Sequence, residues 1–229
     1  MKRILIGILL VLALVSCSSP ASQSTQAPVL DSPTAEPTPE PTQANTPTAE
    51  PTPEPTQERS GPQLDIAHMH PSEVDNTALP ITAVEDLNRT GQPVDYDINT
   101  YRLVVDGLVE NPLSLTYEDL LSRPQVTEEV LLICPGFFWD NAVWAGTPLS
   151  LILEEAGIGP EASQIRIHAG DGYSRKMALE DVNVEGVFLA YEVNGEPLPK
   201  EHGFPIRLVA RHQYGNMWVK WIERIEVTA

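Results

Sequence analysis

The stretch NGEPLPKEHGFPIRL at residues 194–208, followed by KW at 220–221, concentrates positive charge in an acidic chain. The formal net charge is −18, yet residues 200–229 hold the cations Lys200, Arg207, Arg211, Lys220 and Arg224. On a strand over PIRLVAR, Arg207 and Arg211 share one face. His202 precedes a glycine, which permits close approach of the backbone. If a histidine, an arginine and a lysine converge here, they suit a phosphate or another anionic ligand; if they stay apart, they are solvated surface cations.

A second stretch, VLLICPGFFWD at residues 130–140, places a cysteine at the end of an apolar run. Cys134 is the only thiol of the folded domain if Cys17, the other cysteine of the chain, is lipidated. A disulfide within the domain is then excluded, and a thiol outside the cytoplasm is open to oxidation unless it is buried or bound. Three interpretations stay open: a buried small hydrophobe, a thiolate bound to another group, or a nucleophile activated by His168, His202 or His212.

The first 17 residues resemble a bacterial lipoprotein leader. Lys2 and Arg3 form a short positive segment, an apolar run of 12 residues follows at 4–15, and Leu14-Val15-Ser16-Cys17 looks like a lipobox. The apolar run is too short to span a bilayer comfortably. We therefore predict a signal peptide over residues 1–17, lipidation at Cys17, and an exported protein anchored to the outer face of the bacterial cell membrane or to the outer membrane.

The next segment, residues 18–63, is rich in Pro, Thr and Glu and repeats PTAEPTPEPTQ at 33–43 and 47–57. It cannot bury enough apolar surface to fold, so we predict a disordered tether that can reach on the order of 100 Å. Residues 64–229 are predicted to form one domain. Residues 60–229 hold 11 Lys and Arg against 26 Asp and Glu, a net charge of −15, which argues against nucleic acid and anionic headgroups as partners.

Short strands dominate the pattern of the domain. A helix is predicted over 114–124 with Thr116 as its cap, and another over 147–157 with Thr147 as cap and Gly157 at its end. A turn is predicted at Asn194-Gly195. Because the helices are short and do not alternate regularly with strands, the fold class is α+β rather than a doubly wound sheet. The predicted strands cover 101–112, 127–134, 164–174, 186–197, 204–211 and 218–227.

Five motifs in order resemble the molybdopterin-binding domain of the sulfite oxidase family, over residues 79–229. The stretch already quoted at 194–208, with KW after it, is the most specific of them. The others are YRLVVDGLVENPLSLTYEDLL, then LLIC with WAGTPLSLILEEAG, then DGYS, and finally VFLAYEVNG. The resemblance implies a sulfite-oxidase-type fold, mostly strands with short helices, close to the minimal catalytic domain of a periplasmic methionine sulfoxide reductase.

The resemblance also implies a molybdenum–molybdopterin cofactor and roles for particular residues. The cysteine at the Cys134 position gives its thiolate to molybdenum and acts in catalysis. The pterin and its phosphate are contacted by residues at the positions of Asn88, Arg89, Asp171, His202, Arg207, Trp218, Val219 and Lys220. Met217 stands where many members have a Lys or Arg, and Arg211 and His212 are candidates to supply a different local charge.

The expected function is a membrane-tethered extracytoplasmic molybdenum oxidoreductase that transfers an oxygen atom, with two electrons, to or from a small oxyanion or sulfoxide. A cytochrome or membrane subunit would be the separate electron-transfer partner. The alternatives are a cofactor-free binding or scaffold lipoprotein of the same fold, and a thiol enzyme built on Cys134 and a histidine. A metal site that starts at His68 and His70 is also considered, although no further ligands stand nearby in the sequence.

Overall fold

The computed structural model describes residues 65–229, so the predicted leader, Cys17 and the tether lie outside the described residues. Three α-helices occur in the described part: α1 (Tyr117–Leu121), α2 (Leu149–Ala156) and α3 (Leu179–Val182). Short 3-10 helices cover Ile66–His68, Pro71–Glu73, Asn76–Ala78, Val84–Asp86, Lys200–His202 and Gly215–Met217. The strands are β1 (Leu103–Gly107), β2 (Leu113–Leu115), β3 (Val126–Cys134), β4 (Phe138–Pro148), β5 (Gln164–Ala169), β6 (Ser174–Ala178), β7 (Val187–Val193), β8 (Glu196–Pro197), β9 (Arg207–Ala210) and β10 (Ile222–Thr228).

The strands form two sheets. The first has the order β2-β1-β10-β5-β6, in which β1 and β10 are parallel and the other pairs antiparallel. The second has the order β3-β4-β7, and both β8 and β9 pair with β7. Strands therefore dominate and the helices are short, which confirms the predicted α+β class. No helix within residues 65–229 combines the length and the apolar character needed to cross a membrane.

The apolar run before Cys134 is buried on both faces of β3. Val130 and Leu132 pack into the main core between the sheets. Leu131 and Ile133 point the other way, into a second cluster with Ile66. Because the segment that begins at residue 65 covers this outer face, the strand is apolar at consecutive positions instead of alternating. The same cover holds the end of β3 in place.

The helix predictions agree with the structure in part. Thr116 and Asp119 form the capping box of α1, and Gly157 ends α2 with a φ of 70°. The predicted cap at Thr147 is wrong, since Thr147 belongs to β4 and α2 starts two residues later. Its hydroxyl donates instead to the Leu120 carbonyl at 3.0 Å, which ties β4 to α1.

Several strands differ from the sequence prediction. The whole of β4 was missed, because WAGTP was interpreted as the approach to a helix. The strand expected to begin at residue 218 begins at Ile222, because residues 218–221 instead turn toward a pocket. The turn at Asn194-Gly195 is confirmed: both residues have positive φ, 50° and 79°, as a tight hairpin turn requires.

Gly146 is the position in the second sheet that is most sensitive to an added side chain. A Cβ at Gly146 would lie 2.0 Å from the Leu189 carbonyl oxygen and 2.6 Å from the Ala190 Cα, both of them backbone atoms of β7. We expect Gly146→Ala to lower the free energy of unfolding by about 3 kcal/mol or more, since β4 and β7 must separate. Urea unfolding of the cofactor-free protein measures this loss.

Gly172→Ala is the matched control. A Cβ at Gly172 would meet nothing within 4 Å, and only its φ of 86° opposes the change, at a cost of about 1 kcal/mol. Equal losses in the two variants would contradict the close contact between β4 and β7.

Candidate active site

Cys134 is held at the tip of a tight hairpin. It is the last residue of β3 and is paired with Phe138, the first residue of β4. Between them Gly136 has a φ of 75°, and the Phe137 N–H donates to the Cys134 carbonyl at 3.0 Å. The Gly136 N–H donates to the Ala67 carbonyl at 2.8 Å, so the covering segment fixes the hairpin from outside.

The Cys134 thiol is partly exposed, and burial raises its pKa. Removal from water is the one cause of this shift, with no opposing contribution from a histidine or another cation within the described residues. A nucleophilic cysteine needs the opposite shift, which stabilises the thiolate. The environment of Cys134 therefore does not support a thiol enzyme activated by a histidine.

A pocket of about 300 Å³, which we call the central pocket, lies beside Cys134. It brings together eight of the nine residues predicted from the sequence for the site: Asn88, Cys134, Asp171, His202, Arg207, Trp218, Val219 and Lys220. The ninth, Arg89, is exposed and does not line the pocket. It acts there at longer range, because its charge contributes to lowering the pKa of His202.

The three cations of the pocket come from three separate elements. His202 ends a 3-10 helix, Arg207 begins β9, and Lys220 lies two residues before β10. Gly203, with a φ of 114°, reverses the chain between the first two. A Cβ at Gly203 would lie 3.0 Å from the Cβ of Arg207 and 3.1 Å from that of Lys220. A glycine is therefore needed here for the cations to converge.

Arg207 is buried without an acidic hydrogen-bond partner. Its guanidinium lies 4.8 Å from the ring centre of Trp144 and 5.4 Å from that of Trp218. One Nη donates to the His202 carbonyl at 3.2 Å, whereas the buried Nε has no partner. The guanidinium thus keeps hydrogen-bonding capacity that no acidic side chain of the described residues uses.

Burial lowers the pKa of all three basic side chains, and neighbouring positive charges add to the shift at His202 and Lys220. Burial lowers the pKa of His202 to about 4, helped by the charges of Arg207 and Lys220. It lowers the pKa of Arg207 to about 10, against the opposing charge of Asp140. It lowers the pKa of Lys220 to about 8, helped by Arg207 and opposed by Asp171. An anion bound here would stabilise the charged forms of these side chains and raise each pKa.

The lowered pKa of His202 predicts a pH dependence of the cofactor-free protein. The unfolded chain takes up a proton near the ordinary value of 6.5, whereas the folded chain resists it down to about 4. Stability is therefore lost as the pH falls from about 6.5 to about 4, by about 2 to 3 kcal/mol. Urea unfolding at several pH values measures the slope, and His202→Gln should flatten it. A parent and variant with the same slope would contradict the shift.

Asn88 is held at the pocket by hydrogen bonds to Asp140, a buried carboxylate that the sequence prediction missed. Its backbone N–H and its side-chain amide donate to the Asp140 carboxylate at 3.1 and 2.8 Å. Burial raises the pKa of Asp140, opposed by the Asn88 hydrogen bonds and by the charge of Arg207. Asp140 sits beside the Cys134 hairpin, and a polar residue amid the apolar residues of β4 was the available sequence signal.

Backbone groups fix the remaining predicted residues. The Trp218 indole N–H donates to the Ala210 carbonyl at 3.1 Å. The Val219 carbonyl accepts from the Leu208 N–H at 2.8 Å, which links the pocket wall to β9. Asp171 accepts from the Tyr173 N–H at 2.9 Å. These contacts hold the wall rigid before any ligand binds.

Lys220 is held by carbonyl groups rather than by an acid. Its Nζ donates to the Glu201 carbonyl at 3.1 Å and to the Thr90 carbonyl. It also lies 4.4 Å from the ring centre of Trp221. None of these three contacts carries a full negative charge, so Lys220 keeps its positive charge beside the pocket that it lines.

The other histidines considered from the sequence lie outside the central pocket. His68 pairs with Asp65 at 2.7 Å, and His70 packs edge-on against Tyr214. Within residues 65–229 no group of three metal-ligating side chains occurs, so a metal site at these histidines gains no support. His168 pairs with Glu226 at 3.2 Å in the first sheet, and His212 is exposed.

Arg211 and His212, the candidates for a different local charge, do not line the central pocket. Arg211 donates to Glu128 at 2.7 Å, away from the central pocket. Met217 packs against the core and does not line the pocket either. The pocket residues that sequence reasoning missed, apart from Asp140, include Phe138, Trp144, Tyr173 and Asn216. Phe138 and Trp144 lie on β4, the strand that the sequence prediction missed, and the other two lie between strands.

A wider cavity of about 800 Å³, which we call the outer groove, adjoins the central pocket. The two cavities share Asn88, Phe138 and Asp140 as lining residues. The exposed Phe137 stands at its edge, with 83% of its surface accessible. Cys134 lines the central pocket and not the outer groove.

Known proteins similar to this chain are oxidoreductases. A family model described as the oxidoreductase molybdopterin binding domain matches residues 90–229. An uncharacterized oxidoreductase, YuiH of Bacillus subtilis (strain 168), is 34% identical over 69% of this chain and 78% of that protein. The sulfite oxidase of Arabidopsis thaliana is 29% identical over 68% of this chain and 49% of that protein.

Two further similar proteins are much longer than this chain. A nitrate reductase of Aspergillus niger is 30% identical over 58% of this chain and 19% of that protein. The sulfane dehydrogenase SoxCD from Paracoccus pantotrophus matches with a TM-score of 0.56 and 35% identity, over 59% of this chain and 40% of that chain. The chain thus spans half or less of these longer relatives.

The fold and the site define a molybdopterin-binding oxidoreductase. The chain belongs to the oxidoreductase molybdopterin-binding domain family, with a sulfite-oxidase-type fold, and molybdenum bound to molybdopterin is its cofactor. The residues of the central pocket fit this group: within the described residues no carboxylate hydrogen-bonds to Arg207 or Lys220, and the buried Nε of Arg207 has no acceptor. A phosphate-bearing cofactor supplies anionic acceptors for these donors.

Proposed function

We propose that this protein is a membrane-tethered, extracytoplasmic oxidoreductase that transfers an oxygen atom, with two electrons, to or from a small oxyanion or sulfoxide. The observation that carries the proposal is the central pocket, in which Cys134 lies beside His202, Arg207 and Lys220. The leader-like residues 1–17, with Cys17 in a lipobox, support export and lipid anchoring.

In this proposal Cys134 gives a thiolate to molybdenum. A soft thiolate suits such a metal, and binding removes the cost of ionising a thiol whose pKa is raised by burial. Coordination also protects the single thiol of the domain from oxidation outside the cytoplasm. The cofactor supplies a metal that carries two electrons and exchanges an oxygen atom with the substrate.

The cations hold and orient the cofactor. Arg207 offers its unpaired Nε to a phosphate or to the polar edge of the pterin, and Lys220 and His202 add charge and donors. His202 is neutral near pH 7 without a ligand, and a bound phosphate would raise its pKa and charge it. Asn88, Arg89, Asp171, Trp218 and Val219 complete the proposed binding set.

Electrons must reach or leave the metal through another protein, since the residues described form a single redox site around Cys134. We assign this role to a separate cytochrome or membrane subunit. A tether over residues 18–63 would keep the domain near such a partner on the same membrane, at a high effective concentration.

Purification from the protein's own host tests the proposal. We expect the protein in the membrane fraction, about one molybdenum per chain, and turnover of at least one of sulfite, nitrate or an alkyl sulfoxide with an artificial electron acceptor or donor. Cys17→Ala should move the protein to the soluble fraction. A protein without molybdenum, or one that carries molybdenum and turns over none of these compounds, would refute the enzymatic part of the proposal.

A further inference from the structure

The hairpin that carries Cys134 ends in an exposed aromatic side chain. Phe137 is 83% accessible, whereas the next most exposed large apolar side chains within residues 65–229 are 44% accessible. One of these, Ile81, lines the outer groove together with Phe137 and the half-buried Trp139. We call these three side chains the apolar rim. Neighbouring apolar side chains that stay exposed mark interaction sites, whereas single ones are ordinary.

Negative charge borders the apolar rim. Residues 65–88 contain no lysine or arginine and five exposed carboxylates, at Asp65, Glu73, Asp75, Glu85 and Asp86. Asp65 and Asp86 line the outer groove, and Arg89, the first cation after this segment, does not. Asp65 is paired with His68 at 2.7 Å. A molecule that settles on the apolar rim therefore meets negative charge around its contact.

The apolar rim is also close to Cys134. Phe137 follows Cys134 by three residues in the same hairpin, and its N–H donates to the Cys134 carbonyl at 3.0 Å. Phe138 pairs with Cys134 and lines both cavities, and the Cα atoms of such paired residues are about 5 Å apart. Only the hairpin separates a molecule on the rim from Cys134. Because electron transfer slows steeply with distance, this surface suits exchange of electrons with the group that Cys134 binds.

A second exposed cleft of the described chain fits this role less well. It is lined by Tyr117, Leu121 and Phe204, among others, and it includes the cation Arg102. Within residues 65–229 it shares no lining residue with the central pocket, whereas the outer groove shares Asn88, Phe138 and Asp140 with it. The outer groove is therefore the better surface for a partner that must approach the cofactor.

From these observations we propose that the apolar rim is the docking surface for the electron-transfer partner, and that this partner is a one-electron redox protein with basic side chains around an apolar contact face. Opposite charge steers such a partner to the rim, and apolar contact holds it there. A partner with an acidic face would be repelled by the same carboxylates. This inference rests on the proposed function and adds the place and the kind of surface at which the partner binds.

The electron count requires two encounters for each turnover. In each encounter one electron passes between the cofactor and the partner, so the oxidation state of the partner changes by one. Two encounters match the two electrons exchanged with the substrate. No bond forms or breaks at the apolar rim, whose side chains only bring the two redox groups together.

Binding of cytochrome c, a basic one-electron redox protein, tests the surface without turnover. The probe is titrated into the full-length protein in detergent at low ionic strength, where charge is least screened, and calorimetry measures the affinity. Cytochrome c with acetylated lysines is the control, since it keeps its fold and loses its positive charge. We expect acetylation to weaken binding about tenfold or more. Equal affinities for the two probes overturn the inference.

Phe137→Ser and Val184→Ser are matched variants for the apolar contact. Val184 is 42% accessible, follows α3 and does not line the outer groove. We expect Phe137→Ser to weaken binding of cytochrome c about fivefold or more, and Val184→Ser to weaken it less than about twofold. Because Phe137 is exposed, its urea midpoint should stay at the parent's value, so that lost binding is not lost folding. Equal weakening by the two variants overturns the inference.

Asp86→Lys and Glu180→Lys are matched variants for the charge, since they change the net charge equally. Asp86 lines the outer groove, whereas Glu180 is exposed on α3 and does not. We expect Asp86→Lys to weaken binding about fivefold or more, and Glu180→Lys less than about twofold. Equal effects would assign the attraction to the net charge of the whole protein, which also overturns the inference.

Electron transfer separates a failure of this inference from a failure of the proposed function. The molybdenum-loaded protein is reduced with an equivalent of dithionite and mixed in a stopped-flow instrument with ferricytochrome c or with ferricyanide, a small acceptor that needs no docking surface. We expect Phe137→Ser to slow the reaction with cytochrome c about tenfold or more, and that with ferricyanide less than about twofold. Equal rates of parent and variant with cytochrome c overturn the inference and leave the proposed function intact. A loaded parent that reduces neither acceptor overturns both.

Discussion

A Cys134→Ser variant is expected to fold and to keep most of its molybdenum, but to lose the visible absorption that a thiolate–molybdenum bond produces and at least 99% of its turnover. The serine hydroxyl is harder and far less acidic than a thiol, so the metal loses the ligand that tunes it. The cofactor stays bound because His202, Arg207 and Lys220 hold its anionic part independently of the sulfur. Visible spectra, elemental analysis and turnover of the purified variant measure the three quantities.

Ile133→Val is the matched control for this variant. Ile133 precedes Cys134 on β3 and is fully buried in the second cluster. Loss of one methylene costs about 1 kcal/mol of stability, which is comparable to the disturbance from a Cys→Ser change. The control should keep both the absorption and the turnover. A Cys134→Ser spectrum identical to the parent's would remove Cys134 from the coordination of the metal.

The residues of the site were easier to predict than the strands that carry them. Cys134, His202, Arg207 and Lys220 stood out because residues 64–229 contain a single cysteine and because a cluster of basic residues is unusual in an acidic chain. These residues share a pocket because of how the strands pair: β3 and β9 belong to one sheet, in which β4 and β7 lie between them. This strand order cannot be deduced from the sequence pattern. The resemblance to a family supplied that step.

Other features depended on tertiary contacts that sequence patterns do not carry. The strand β4 was missed because Thr147 and Pro148 look like a helix start, while in the structure β7 and the Leu120 carbonyl hold them extended. Arg211 was considered for the site because it shares a strand face with Arg207, yet Glu128 holds it elsewhere. Two arginines four residues apart, Arg207 and Arg211, were both predicted on one strand face, yet they have different roles. The neighbouring side chains determine which role each arginine has.

Arg211 has an acidic partner in the chain, whereas the partner of Arg207 is expected to be the cofactor. The cofactor therefore contributes to the stability of the folded state. In the chain alone, burial lowers the pKa of Arg207 and leaves its Nε unpaired, and the charge of Arg207 in turn lowers the pKa of Lys220. A ligand that binds only the folded chain stabilises it by mass action, and an anionic one also removes this repulsion. The site is therefore less stable without its ligand than an apolar site of the same shape would be.

Arg207→Met should consequently reverse the usual effect of a change in a buried residue. We expect the variant, without cofactor, to unfold at a higher urea concentration than the parent, by about 1 to 2 kcal/mol, because a poorly compensated charge is replaced by an apolar chain between Trp144 and Trp218. We expect its molybdenum content after purification to fall at least tenfold, because the buried donor to the cofactor is lost. Urea midpoints and elemental analysis measure the two effects.

Arg211→Met is the matched control, and it should behave in the opposite way. It leaves Glu128 without its partner at 2.7 Å, so stability should fall by about 1 kcal/mol, while molybdenum content stays at the parent's level because Arg211 lies outside the central pocket. An Arg207→Met protein that is destabilised but fully loaded would show that Arg207 supports the fold and not the cofactor. The two arginine variants therefore distinguish support of the fold from binding of the cofactor. The guanidinium of Arg211 has its acceptor in the chain, whereas that of Arg207 is expected to have its acceptor in the ligand.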